Sequence, residues 1–176
     1  EAIKMNMKPI LLLSCLALAM CASFTANAQD AGGSADMPMA TTARLDPTAP
    51  NPAPPHPELA GVLKDFGGKD GLTAIVSTFM DNMMADPRTQ PFFEHVDRDR
   101  VKRELSEQFC AILGGGCIYS GRDMRTTHAG LKIDRNNFNA LVEDLQRAMV
   151  THKVPFRSQN KLLAVLAPMH REVVTH

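Results

Sequence analysis

The sequence predicts an all-α fold, and three observations predict it. Apolar residues recur at helical spacing in three long stretches, 68–86, 97–113 and 134–152. Residues that start and stop helices bound each of them. No stretch shows the two-residue alternation of a half-buried strand.

The first stretch, "GKDGLTAIVSTFMDNMMAD", carries Leu72, Ile75, Val76, Phe79, Met80 and Met83 on one stripe. Pro87 ends it, because proline has no N–H to continue the ladder, and "PRTQPFF" reads as a short turn or helical bend ending at Phe92 and Phe93. The second, "DRDRVKRELSEQFCAIL", puts Val101, Leu105, Phe109 and Ile112 on one face and charge elsewhere. Asp97 or Asp99 serves as its N-cap, and the run Gly114–Gly116 ends it. Residues 122–129 are expected to make about two helical turns, which set Met124 and His128 one above the other, with Gly130 closing them. The third stretch, "DRNNFNALVEDLQRAMVTH", starts at an Asp134 cap and aligns Phe138, Leu141, Val142, Leu145 and Met149. Pro155 and Ser158 then mark a break before "NKLLAVLAPMHREVV", read as one last apolar helix. Glycines at 67–68 and 114–116, with so short a helix before His128, are unusual in a bundle built for stability alone. They point to something bulky in its middle.

The folded domain is expected at 58–176. Ahead of it, 29–57 is rich in Pro, Ala, Gly and Thr and reads as a disordered linker, since it offers too little apolar surface to offset its chain entropy. Residues 1–28 read as a signal peptide: Lys8, an apolar run from Pro9 to Ala22, and the small triplet Ala26-Asn27-Ala28. Glu1–Lys4 are expected to lie upstream of the start at Met5. The run is too short for a comfortable membrane span. The expected product is exported, with the periplasm as its expected compartment and no span in the mature chain; lipidation at Cys15 or Cys21 is the weaker reading. The 19 basic residues balance the 19 acidic ones, so neither nucleic acid nor an anionic membrane is an expected partner, and a monomer is expected. Cleavage removes Cys15 and Cys21, leaving Cys110 and Cys117, which in an oxidising compartment suggest a disulfide rather than a metal site. There is no C-x-x-C-H, so a haem attached through that motif is excluded.

His128 has two readings on spacing alone. A histidine at a helix end is favoured by the helix dipole, and that is the commoner case. The other is metal ligation, in which one ring nitrogen binds and the second donates to a carbonyl such as that of Met124, one turn earlier. His95 and His170 are expected at the surface.

The ordered set "FGGKDGL", "PFF", "QFCAILGGG", "YSGRDMRTTHAGL" and "FNALVEDLQRAM" resembles group I truncated haemoglobins over about 62–170. That resemblance implies a two-over-two helical sandwich around one haem b (iron protoporphyrin IX), with His128 as the proximal ligand to iron. It further implies that Phe93 packs on the porphyrin face, that Val101, Leu105 and Phe109 face the distal pocket, and that Met124, Ile133 and Phe138 make apolar haem contacts. Tyr119 falls in the linker before the proximal helix. Met80 and Leu105 stand where the family usually offers a tyrosine and a glutamine, and Val101 is apolar too, so the distal side is expected to be poor in hydrogen-bond donors; Gln108 is a weak substitute. The function implied is reversible binding of oxygen, nitric oxide or carbon monoxide. The alternatives are a haem enzyme, either nitric oxide dioxygenase or peroxidase-like, and a periplasmic electron-transfer protein with Met80 as sixth ligand; dioxygenation would require a periplasmic electron donor.

Overall fold

The computed structural model describes residues 48–176, and there it is helical throughout, with no strand among the described residues. The expected signal peptide and most of the linker lie outside the described residues. Six α-helices follow in order: α1 Gly68–Ala85, α2 Arg98–Ile112, α3 Met124–His128, α4 Arg135–Thr151, α5 Phe156–Leu166 and α6 His170–Val173. Short 3-10 turns at Pro57–Leu59, Leu63–Phe66, Gln90–Phe92 and Ala167–Met169 join them. Helix α1 is central and packs against both α2 and α4, while α3 lies against α6. Phe66, Leu72, Ile75, Phe79, Met83, Phe109, Ile112, Met149 and Leu162 fill the core. No helix among the described residues is long and apolar enough to cross a membrane.

The helix starts follow from side-chain caps. Asp97 accepts from the N–H of Arg100 at 3.0 Å and Asp123 from Thr126 at 2.8 Å. Asp134 and Asn137 form a reciprocal capping box at the head of α4. Each cap satisfies an N–H that the helix itself leaves without an acceptor. At the other end of α2, Gly114 adopts a left-handed φ of 71°, which turns the chain back so that Gly115 N–H reaches the Cys110 carbonyl at 2.8 Å.

Three expectations need correction. Helix α3 spans five residues rather than two full turns, because Asp123 caps it late and Ala129 leaves the helical region. The last helix is two: α5 begins earlier, at Phe156, and Pro168 interrupts it, so a 3-10 turn separates α5 from α6. Ordered packing also begins before residue 58. Pro52 and Ala53 are buried, and Gln108 Nε2 donates to the Pro52 carbonyl at 2.6 Å. Proline there costs little entropy on ordering, so a segment of low hydropathy can still dock.

Candidate functional site: the cavity beside His128

A cavity of about 380 Å3 lies between α1, α2, α4 and α5, with α3 closing one side. The structure brings Phe93, Val101, Leu105, Phe109, Tyr119, Met124, His128, Ile133 and Phe138 onto its wall. Met80 is not among them. It is buried on α1, 3% exposed, whereas Phe79 and Met83 of the same helix face the space. Residues 79 and 83 are one turn apart and share a face; residue 80 is rotated about a quarter turn from it. The stripe read from the sequence was wide enough to include all three, which is why spacing alone did not separate them. Met80 as a sixth ligand to iron therefore finds no support in this placement.

The segment between α1 and α2 brings Phe92 and Phe93 to the cavity, and a polar network fixes it. Thr89 Oγ1 donates to the Met83 carbonyl at 2.9 Å and to the fully buried Asp144 at 3.1 Å. Arg88 clamps Asp86 through two nitrogens and reaches Glu143, and Arg147 closes on Asp144. Arg88 holds the Asp86 carboxyl down at about 2, while burial pushes Asp144 up.

His128 ends α3. Its Nδ1 lies 2.7 Å from the Met124 carbonyl oxygen. A carbonyl only accepts, so Nδ1 carries the proton and Nε2 keeps its lone pair. Burial lowers the imidazole's proton affinity by more than the Met124 hydrogen bond raises it, and so favours the neutral ring. A neutral, oriented imidazole on a cavity wall has what a metal ligand requires. Among the described residues no group of three or more His, Cys, Asp or Glu could hold a bare ion. One histidine facing a broad apolar space fits instead a metal whose other ligands come from a flat macrocycle.

Several polar side chains of the wall are committed elsewhere, whereas Arg122 and Thr127 of the same wall have no side-chain hydrogen bond or ion pair among the described residues. Gln108, expected to point away from the pocket, does line it; its amide donates to Pro52 and sits 3.7 Å from Met169 Sδ. The Tyr119 hydroxyl donates to the Arg122 carbonyl at 2.9 Å, and burial, helped by Glu104 and Glu107, pushes it up to about 12. Its ring lies flat on Gly121, where an added Cβ would stand 2.3 Å from the hydroxyl oxygen and 2.4 Å from Cζ. Asn137 donates to the Arg88 carbonyl. His95 is exposed as expected, but His170 is half-buried, edge-on to Phe138 with ring centres 5.4 Å apart. Leu141, Leu145 and Leu163 complete the apolar wall; their helical spacing marked them as core, and nothing in the sequence marked them as cavity.

An all-helical domain with one histidine presented to a large apolar cavity is the arrangement of a globin. Residues 62–175 match the bacterial-like globin family, and the chain belongs to it. It is 30% identical over 118 residues to the group 1 truncated haemoglobin GlbN of Mycolicibacterium paratuberculosis, which covers 67% of this chain and 87% of that protein. With the group 1 truncated haemoglobin LI410 of Chlamydomonas moewusii it shares 30% over 132 residues, 72% of this chain and 75% of the other. Among solved structures, the Fe(III) form of the truncated haemoglobin of Tetrahymena pyriformis superposes with a TM-score of 0.62 at 24% identity, covering 64% of this chain and 97% of that one. The 2/2 haemoglobin of Synechococcus sp. PCC 7002, in a cyanomet state with covalently attached haem, gives 0.61 at 20% identity, covering 65% and 98%. The fold is thus the two-over-two globin fold, and the protein is a haem-binding globin.

Proposed function

We propose that the chain carries haem b with His128 as the proximal ligand and reversibly binds a diatomic gas on the opposite face. The observation that carries this reading is the Nδ1–Met124 hydrogen bond, which fixes the tautomer and leaves Nε2 directed at the cavity. Haem, when bound, supplies the iron at which oxygen, nitric oxide or carbon monoxide is taken up. The residues of this chain then divide the remaining work. Phe93, Phe138, Ile133 and Met124 exclude water from the cofactor's faces and edge. Val101, Leu105 and Phe109 of α2, with Phe79 of α1, offer the gas an apolar chamber. Thr89, Gln108, Tyr119 and Asn137 each donate to a protein acceptor, which ties these side chains to the wall rather than to a bound gas. Such a chamber suits binding and release better than turnover, because catalysis on a charged diatomic gains from a placed donor.

Absorption spectra of the haem-loaded protein, oxidised, reduced and exposed to carbon monoxide, test the reading. A five-coordinate ferrous form that binds carbon monoxide is expected, and a ferrous form already six-coordinate without gas overturns it. Export to the periplasm, a monomeric state and a separate electron donor belong to the same proposal, and the leader pattern at 5–28 supports the first of them. Cell fractionation with detection of the mature N-terminus tests export.

A further inference from the structure

A second cavity, about 430 Å3, opens between the start of α1 and the outer face of α2, remote in function from the wall that carries His128. The Cys110–Cys117 disulfide, with Cα atoms 5.6 Å apart, lies at its base. The two cysteines differ in access: Cys110 is 2% exposed, whereas Cys117, in the loop after α2, is only partly buried. Three cations and two carboxylates line the groove, and they are not equally engaged. Lys102 pairs with Asp99 at 2.7 Å, and Glu107 accepts from Ser120 N at 2.9 Å and from the Ser120 hydroxyl. Lys69 and Arg103 are exposed and have no ion pair among the described residues. The groove thus offers an accessible disulfide sulfur beside two uncommitted positive charges.

We propose that this groove binds a small anionic thiol, which opens the disulfide by thiol–disulfide exchange. The thiolate sulfur attacks Cys117 Sγ; the Cys110–Cys117 bond breaks, and its electron pair leaves on Cys110 Sγ, which takes a proton from solvent. A second thiol, as thiolate, attacks the sulfur of the first in the mixed disulfide and releases Cys117 as a thiol. Two small thiols are oxidised to one disulfide, and the protein disulfide is reduced to two thiols. Attack falls on Cys117 because exchange needs an in-line approach that the buried Cys110 denies. The carboxylate of the small thiol meets Lys69 and Arg103, which raises its local concentration over that of a neutral or cationic thiol. Opening removes the covalent tether between α2 and the 113–123 segment and leaves hydrogen bonds such as Gly115–Cys110 and Glu107–Ser120. That segment carries Tyr119 and the Asp123 cap of the His128 helix.

The test uses the oxidised, haem-loaded full chain at low ionic strength, treated with 3-mercaptopropionate, 2-mercaptoethanol or cysteamine. Released protein thiols are counted by alkylation and mass. Each rate is divided by the same reagent's rate on a short neutral peptide disulfide, which removes differences in intrinsic reactivity. The corrected rate for the anion is expected to exceed that for the neutral thiol by about fivefold, the effect of one unit-charge contact in water, with the cation below the neutral thiol. High salt and the double variant Lys69→Glu/Arg103→Glu bring the ratio to one or below, and Lys69→Gln/Arg103→Gln lies between. Equal corrected rates, a ratio unmoved in both double variants, or reaction only under denaturing conditions overturns the proposal.

Discussion

The two walls of the haem cavity are built on different principles. The distal helix α2 is fifteen residues long and buries Phe109, Cys110, Ala111 and Ile112 in the core, so its position follows from packing. The proximal helix α3 has five residues and buries only Met124. A helix of that length is far below the roughly 12–15 residues at which an isolated helix becomes even marginal in water. It exists because Asp123 caps one end, the His128 ring ties back to Met124, and α6 lies against it. The lesson is that the side proposed to hold the metal is ordered by a few directional bonds, whereas the side proposed to meet the gas is ordered by apolar volume. Loss of one hydrogen bond should therefore disturb the first side, and loss of one methylene the second.

The largest effect should come from the proximal side. His128→Ala is expected to purify almost free of haem, since the remaining wall contacts are apolar and non-directional. Haem content by absorbance checks this against His95→Ala, which should retain full occupancy. Next in size is a pure packing loss beside the distal wall. Met80→Ala should lower unfolding free energy by about 2–5 kcal/mol in denaturant titration, the range for a buried methionine, while the ferrous spectrum stays unchanged. A spectral change would show that Met80 binds iron after all.

Introducing a donor sharpens the contrast from the distal side. Leu105→Gln should slow oxygen release about tenfold or more, as a hydrogen bond to a charged group contributes about 1.5–3 kcal/mol. Flash photolysis and stopped-flow measurements read it directly. The smallest effect belongs to the cap. Asp123→Ala should cost about 1 kcal/mol of stability and speed haem transfer to apomyoglobin several-fold. The same bond sets a pH dependence. The N–H of Thr126 holds the Asp123 carboxyl below its ordinary 3.8, so its stabilising contribution is complete above that value and is lost as pH falls through the lower, folded value. Haem release followed from pH 5 downward should steepen below about pH 4 in the parent and flatten in Asp123→Asn.

Much of this was legible in the sequence, and what was missed has physical causes. Stripes and caps located α1, α2 and α4, because Asp97, Asp134 and the Gly114 turn act within a few residues of themselves. The nine wall residues that meet at the cavity were reached through the resemblance, since helical spacing marks a buried face without saying whether protein or ligand covers it. The exchange of Met80 for Phe79 is a rotation within one stripe, which tertiary packing decides. Pro52 and Ala53 dock through a side chain 56 residues away, Gln108, and no local pattern encodes such a contact. Pro168 did announce a break, yet the apolar run across it was strong enough to read as continuous.

The flat contact between Tyr119 and Gly121 bears on how this pocket can change over generations. A methyl group at 121 collides not only with the hydroxyl but with the ring carbon that bears it, so exchanging tyrosine for phenylalanine does not make room. Residue 121 can grow in place only after residue 119 has lost its ring; otherwise the ring must move. The order of substitution at the two positions therefore decides what happens to the wall. A lineage that first enlarges 121 forces the one tyrosine of the chain off the cavity wall, while a lineage that first shrinks 119 passes through a wider cavity on the way.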